Sequence, residues 1–248
     1  MRAGYHFSVD DVFDAFVEVS DRRVPLFEHP FFAFLKRLHE DFGASVDLYL
    51  FYRKTMNGRC RTLDEVAASI GDALREHRWL RLGPHGLDWD TPPYTQTPPE
   101  QLRVFEAVYA HLDRFAAGGG RSKWLRLHCF SEAYENGPYF RTRDVEALLT
   151  TDKPAVSYRL GDSERRQLEE RGRIEYEGIT LIRSHVRMEG LVDAGLEGAA
   201  VTCALDAILE RHGVAVLMTH ESLLARPDVR GMTLCALQHL TARNAASV

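Results

Sequence analysis

The chain has 248 residues, 45% of them hydrophobic and 27% charged, with a formal net charge of −5 at pH 7. This is the balance of an ordinary globular protein able to bury one sizeable core. Its basic residues are interspersed with acids, which argues against a nucleic-acid partner. No apolar run approaches the roughly 18–20 residues that a bilayer span needs, and no signal-peptide pattern opens the chain. Four cysteines lie without CxxC spacing, so neither a zinc ribbon nor a disulfide framework is indicated. A cytoplasmic setting with reduced thiols is the expectation.

In chain order, Tyr5–Val9 reads as a short strand. Phe27, Phe31, Phe34, Leu35, Leu38 and Phe42 then recur at helical spacing, and Gly43 is the natural stop for that helix. Ser45–Tyr52 is aromatic and β-branched enough for a buried strand. Thr62 with Glu65 three residues on has capping-box spacing and opens a helix to about Arg78. Trp79–Leu82 predicts a short strand leading into the loop GPHGLDWDTPPYTQTPP. A helix from Glu100 to Ala117 places Leu102, Phe105, Val108, Tyr109, Leu112 and Phe115 on one face. GGGRS breaks it, and KWLRLHCF is the next strand.

Beyond these, the pattern predicts a helix over Thr142–Leu149, a strand over Ala155–Tyr158 and a charged helix over Ser163–Arg171. A strand over Ile179–Ile182, a helix over Ala199–Arg211, a buried strand over Val214–Met218 and a helix over Gly231–Arg243 follow. No repeat and no linker divides the chain, so residues 1–248 read as one domain. Strands alternating with helices predict an α/β fold, a parallel sheet or barrel with crossover helices.

In such folds the loops after strand C-termini carry the active site. Asp10 and Asp11 follow the first predicted strand, and His85, Asp88 and Asp90 follow the one at Trp79–Leu82. Arg126 and His128 end KWLRLH, with Glu132 just beyond. Arg183 and His185 follow Ile182, while His220 and Glu221 follow VAVLM. Histidine and aspartate together suit a divalent cation such as zinc. A second carboxylate beside a ligand carboxylate could take the proton of a water. Each residue also has a plainer reading: Asp10–Asp11 as a helix-capping turn, His85 as a loop histidine, His128 as a core histidine and His220 as a helix cap.

Taken in order, these stretches resemble the NodB-like polysaccharide deacetylase superfamily. FSVDD looks like its first motif, TFDDG, whose first Asp is the catalytic base and whose second is a metal ligand. RLGPHGLDW resembles the second, H-G-x-x-H, and LMTH the last, L-x-H, whose histidine is the general acid. WLRLHCF occupies the place of the motif that carries an arginine. The resemblance implies a distorted (β/α) barrel of about seven parallel strands. It also implies Asp10 as base, Asp11 and His85 as ligands, Arg126 orienting Asp10 or binding substrate, and His220 as acid.

Two positions depart from the pattern. Val12 stands where the first motif has Gly, and Trp89 stands where the second motif has its second histidine. Trp89 cannot be a ligand, so a third must come from elsewhere. His128 is the choice, as an imidazole at a strand end on the same rim, with Asp88 next. Asp88, Glu132 and His185 are then candidates for contacting substrate or supporting the ligands.

The function so implied is metal-dependent removal of an N-acyl group from a sugar or sugar conjugate, in cell-surface polysaccharide or lipopolysaccharide biosynthesis. Zinc is the expected metal, with cobalt, nickel or manganese as alternatives. One competing reading is a metal-free sugar-binding or scaffold protein that kept the barrel, and another is a deformylase or other C–N hydrolase. The oligomeric state is not legible in the sequence.

Overall fold

The computed structural model describes residues 3–116, 120–153 and 157–248. The first part of the chain forms β1 (Gly4–Val12), α1 (Asp14–Arg22), α2 (Pro30–Phe42), β2 (Val46–Phe51), β3 (Arg53–Met56), β4 (Arg59–Thr62), α3 (Ile70–Glu76) and β5 (Leu80–Gly86). The middle adds α4 (Pro98–Phe115), β6 (Trp124–Leu125), α5 (Gly137–Arg141), β7 (Ala147–Thr150), α6 (Asp162–Arg171), β8 (Arg173–Tyr176) and β9 (Ile179–Arg183). Then come β10 (Val186–Arg187), α7 (Met188–Asp193), α8 (Gly198–His212), β11 (Val214–His220), α9 (Pro227–Ala242) and β12 (Ala246–Ser247).

One sheet runs β10-β11-β1-β2-β5, with β12 added beside β1, and all its pairings are parallel. A second runs β6-β7-β9-β8; it is parallel except at its edge, where β8 and β9 are antiparallel. Backbone hydrogen bonds join the two sheets at both ends. Leu82 of β5 bridges to Arg121, with Ser122 N–H donating to the Leu82 carbonyl at 2.9 Å. At the other end the chain passes from β9 into β10: Ser184 N–H donates to Thr150 O of β7 at 3.2 Å, and the next residue, His185, donates its N–H to Val216 O of β11 at 2.9 Å.

The amphipathic logic is clearest in β1. Tyr5, Phe7 and Val9 join the large apolar core, whereas His6, Ser8 and Asp10 alternate with them and are buried as well. Period-two alternation sends the two sets to opposite faces, so this strand places its polar face inside the molecule. A smaller apolar cluster built on Phe105, Phe140, Leu148 and Leu181 lies under the second sheet.

Several predicted elements change on folding. The helix expected over Thr142–Leu149 is a turn followed by strand β7, whose four residues are all buried. A short apolar run reads alike for helix and strand until its neighbours are known. The Thr62–Arg78 helix splits into a short 3-10 turn at Leu63–Glu65, held by the expected Thr62–Glu65 capping box, and α3. The phenylalanine-rich helix starts at Pro30, capped by the His29 side chain, and Gly43 ends it in the left-handed conformation. Of the strand expected at Ala155–Tyr158, Ala155 and Val156 lie outside the described residues, as does Ala117; Ser157 and Tyr158 are not in a strand. Helix α1 and the β3–β4 hairpin were not expected. The hairpin turns at Asn57 and Gly58, both with positive φ, the two-residue turn that suits a twisted ribbon.

Candidate metal centre

Two β-bulges build the site. Between Val9 and Val12, β1 advances three residues while β2 advances from Leu48 to Leu50, and Asp11 takes φ 61°. Between Pro84 and Gly86, β5 carries His85 as an extra residue against Leu50 and Phe51. A regular strand would send Asp10 and Asp11 to opposite faces. The bulge instead lets Asp10 reach Arg126 while Asp11 reaches His85 and His128. Re-aiming side chains in this way is a common use of bulges near active sites.

Asp11, His85 and His128 each offer one ligand atom, and these three atoms lie within 4.8 Å of one another. Asp11 Oδ1 is 3.1 Å from His85 Nε2 and 3.7 Å from His128 Nδ1. His85 Nδ1 lies 2.8 Å from the Arg126 carbonyl and His128 Nε2 lies 3.0 Å from the Trp89 carbonyl. A carbonyl only accepts, so each of those nitrogens carries the hydrogen. The other nitrogen of each neutral ring then turns a lone pair toward Asp11, the tautomer a metal ligand needs. Asp11 Oδ1 is buried, and among the described residues no hydrogen-bond donor meets it. This donor set, with its unsatisfied buried oxygen, fits a divalent cation.

Packing fixes the two rings. Phe51 meets both edge-on, with ring centroids 5.0 Å from His85 and 4.9 Å from His128. Gly86 leaves the room this needs, since a Cβ there would come within 3.3 Å of the His128 Cβ. Directly after His128, Cys129 and Phe130 both have positive φ, at 54° and 55°, a costly backbone for non-glycine residues. Burial, helped by neighbouring His85, lowers the His128 pKa to about 4.

Asp10 is buried beside this cluster, and its Oδ1 accepts from Arg126 Nη1 at 3.0 Å. Arg126 is itself only 1% exposed and also donates to the hydroxyls of Ser8 and Ser184. His220 is the register partner of Asp10 on neighbouring β11. Its Nδ1 donates to Glu189 Oε1 at 2.6 Å, while Thr219 Oγ1 donates to Glu189 Oε2 at 2.9 Å. Burial would depress the His220 pKa, but Glu189, Asp10 and Asp11 lift it above the ordinary histidine value.

The other expected candidates sit apart from this group. Asp88 accepts from Arg53 Nε at 2.8 Å. Glu132 is buried and accepts from Ser157 Oγ and from the Tyr158 and Arg159 N–H groups. His185 accepts the Val216 N–H at its Nδ1 and stacks on His212, its pKa lowered by burial to about 3. None of the three hydrogen-bonds to Asp10, Asp11, His85, His128 or His220 among the described residues. Glu221, next to His220, accepts the N–H groups of Phe13, Asp14 and Ala15 and so caps α1.

Sequence reading missed Ser8, Ser184 and the pairing of Glu189 with His220. Glu189 was visible only as one charge in RSHVRMEGL, and no spacing tied it to a residue 31 positions away. It also missed that Trp89 contributes through its backbone carbonyl.

No protein-family model and no curated protein matches this chain in sequence. Solved structures match in fold. A 4-alpha-glucanotransferase from Thermococcus litoralis aligns with a TM-score of 0.58 at 13% identity, over 98% of this chain but only 38% of its own. The Bc1960 peptidoglycan N-acetylglucosamine deacetylase aligns with a TM-score of 0.53 at 11% identity, over 100% of this chain and 86% of its own. A polysaccharide deacetylase described as putative and involved in O-antigen biosynthesis, from Bordetella bronchiseptica, gives 0.51 at 13%, over 98% and 91%. In fold, then, this chain is similar to polysaccharide and peptidoglycan deacetylases, as a divergent case at low sequence identity.

Proposed function

We propose that this chain is a single-domain, metal-dependent hydrolase that removes an N-acyl group from a sugar or sugar conjugate. The observation that carries the reading is the grouping at one rim of Asp11, His85 and His128 with two flanking pairs, Asp10–Arg126 and His220–Glu189. The hydrogen bonds joining the two sheets support a distorted barrel, with β1, β2, β5, β6, β7, the continuous β9–β10 segment and β11 as its seven staves.

A divalent cation held by Asp11, His85 and His128 would supply Lewis acidity toward a carbonyl oxygen and a water. Zinc suits this set best, with cobalt, nickel or manganese as alternatives. Arg126 holds one oxygen of Asp10, leaving the other to take a proton from water as it attacks the acyl carbon. Glu189 fixes His220 with its hydrogen on Nδ1 and favours the doubly protonated ring. Nε2–H is then the proton delivered to the departing amine as the C–N bond breaks. Base and acid of this kind contribute about 10²–10⁴-fold each.

The glucanotransferase likeness brings glycosyl transfer into view. That chemistry classically uses two carboxylates flanking the bond, whereas here one neighbouring carboxylate faces two imidazoles and the other an arginine. The amide-hydrolysis reading uses all of these groups. A cytoplasmic setting and a place in cell-surface polysaccharide or lipopolysaccharide assembly belong to the same proposal.

Elemental analysis of the purified chain tests it. About one equivalent of a first-row divalent metal is expected, falling below about a tenth in Asp11→Ala and in His128→Ala. Metal retained in both variants, or no acid released from any N-acylated sugar by the loaded wild type, would overturn the reading.

A further inference from the structure

Among the described residues three large aromatic side chains are exposed, Trp89 at 62%, Tyr158 at 42% and Tyr94 at 37%. They come from two loops, the one after β5 and the one before α6, yet both loops are tied to the segment that carries His128. The Trp89 ring lies 5.4 Å from the His128 ring, and its carbonyl holds His128 Nε2. Tyr94 N–H donates to Ser131 Oγ at 3.2 Å, and Ser131 Oγ donates to the His128 carbonyl at 2.7 Å. Glu132 accepts the N–H groups of Tyr158 and Arg159, both at 3.1 Å. Through these anchors Tyr94 and Tyr158 stack face to face, with centroids 3.9 Å apart and planes at 8°.

Leaving such rings in water while spending a buried carboxylate on holding one of them makes little sense for stability alone. Flat aromatic faces with polar edges suit ligands that are apolar on one side and hydroxylated at the rim. Two arginines beside these loops already carry ion pairs. Arg53 pairs with Asp88, and Arg159 pairs with Glu135. A phosphate would have to compete with those carboxylates for either guanidinium, whereas the axial C–H face of an uncharged pyranose needs no cation.

We propose that Trp89 and the Tyr94–Tyr158 stack form a saccharide-binding rim that takes the sugar rings flanking the one whose amide faces Asp11, His85 and His128. Ser131 and Glu132 are its positioning residues. The inference rests on the deacylation reading only for which ring faces the cluster; the rim itself is a binding site independent of turnover.

Calorimetric titration of the full chain, metal-loaded and metal-free, with N-acetylglucosamine, its β-1,4-linked pentamer and a uridine-diphosphate sugar tests it. The pentamer should bind at least about tenfold more tightly than the monomer, a gain of about 1.4 kcal/mol. Tyr94→Ala/Tyr158→Ala should remove that gain while leaving monomer affinity and the thermal midpoint unchanged, and Trp89→Ala should do the same with its metal content intact. Glu132→Gln should reduce the gain, and Glu132→Asp should restore part of it. Equal affinity for monomer and pentamer, a preference for the nucleotide sugar, or an unaltered gain in the aromatic variants overturns the rim. Pentamer binding without any acid release keeps the rim and rejects deacylation; acid release with no length preference does the reverse.

Discussion

Adjacent Asp10 and Asp11 are the sharpest case at the scale of single residues, because strand geometry alone would separate them. A bulge and one left-handed residue put them side by side with different partners, an arginine for one and two imidazoles for the other. The same logic makes Arg126 costly to lose. Its charge is buried against Asp10, and removing one member of a buried pair leaves the other uncompensated. Arg126→Met should lower stability by about 3–5 kcal/mol, read from the urea unfolding midpoint. Glu189 acts on His220 in a way that pH can reveal. It helps raise the His220 pKa, so the protonated ring persists to higher pH than in an isolated histidine. Activity that needs that proton falls as pH rises through the His220 pKa. In Glu189→Gln, kcat should fall by about 10–100-fold, and the alkaline decline should begin at lower pH. An unshifted alkaline limb would remove Glu189 from this role.

Among the elements, α1 shows how a site and a scaffold share one short segment. Its N-cap residue Phe13 has no side-chain cap bond, and Glu221, directly after β11, accepts the N–H groups of Phe13, Asp14 and Ala15 instead. The carboxylate therefore clamps α1 to the strand that carries His220. Glu221→Ala should cost about 1–3 kcal/mol, since two buried donors and one half-buried donor lose their acceptor; a loss below about 0.5 kcal/mol in chemical denaturation would count against the clamp. Strands and long helices were largely legible in advance: β1, β2, α4, α6, β9, α8 and β11 lie where apolar periodicity expected them. The Thr142–Leu149 segment was not, because ALLT becomes a strand only when β6 and β9 flank it. Helix α1 was hidden because its apolar residues run on from the Asp10–Asp11 turn without a polar cap to mark the start.

For the molecule as a whole, the two sheets bring residues from five distant parts of the chain to one rim. Metal binding should therefore stabilise the entire fold by linkage. At a free metal concentration about 100 times its dissociation constant the gain is about 2.7 kcal/mol, or roughly 5–10 °C in thermal midpoint for a chain of this size. Chelation should remove it from the wild type and should leave the midpoint of His128→Ala unmoved. A chelator that leaves the midpoint unmoved would speak against a bound cation. The interior alternates similarly at the far end of the sheet, where buried His6 meets Asp47 at 3.0 Å and Tyr49 donates to the Trp124 carbonyl. A polar inner face thus runs along the strands from one rim to the other.

By itself the sequence determined the α/β alternation and the supply of aspartates and histidines just after strands, because periodicity and composition are local properties of a chain. It also determined that Trp89 offers no side-chain ligand. Only the tertiary structure decided that His128 joins Asp11 and His85 while Asp88, Glu132 and His185 are held elsewhere. Bulges shift which face a residue points to, and a bulge leaves no mark in a pattern of apolar and polar letters. Partners such as Glu189 and Ser184 are likewise set by strand order, which brings together side chains that lie dozens of positions apart in the chain.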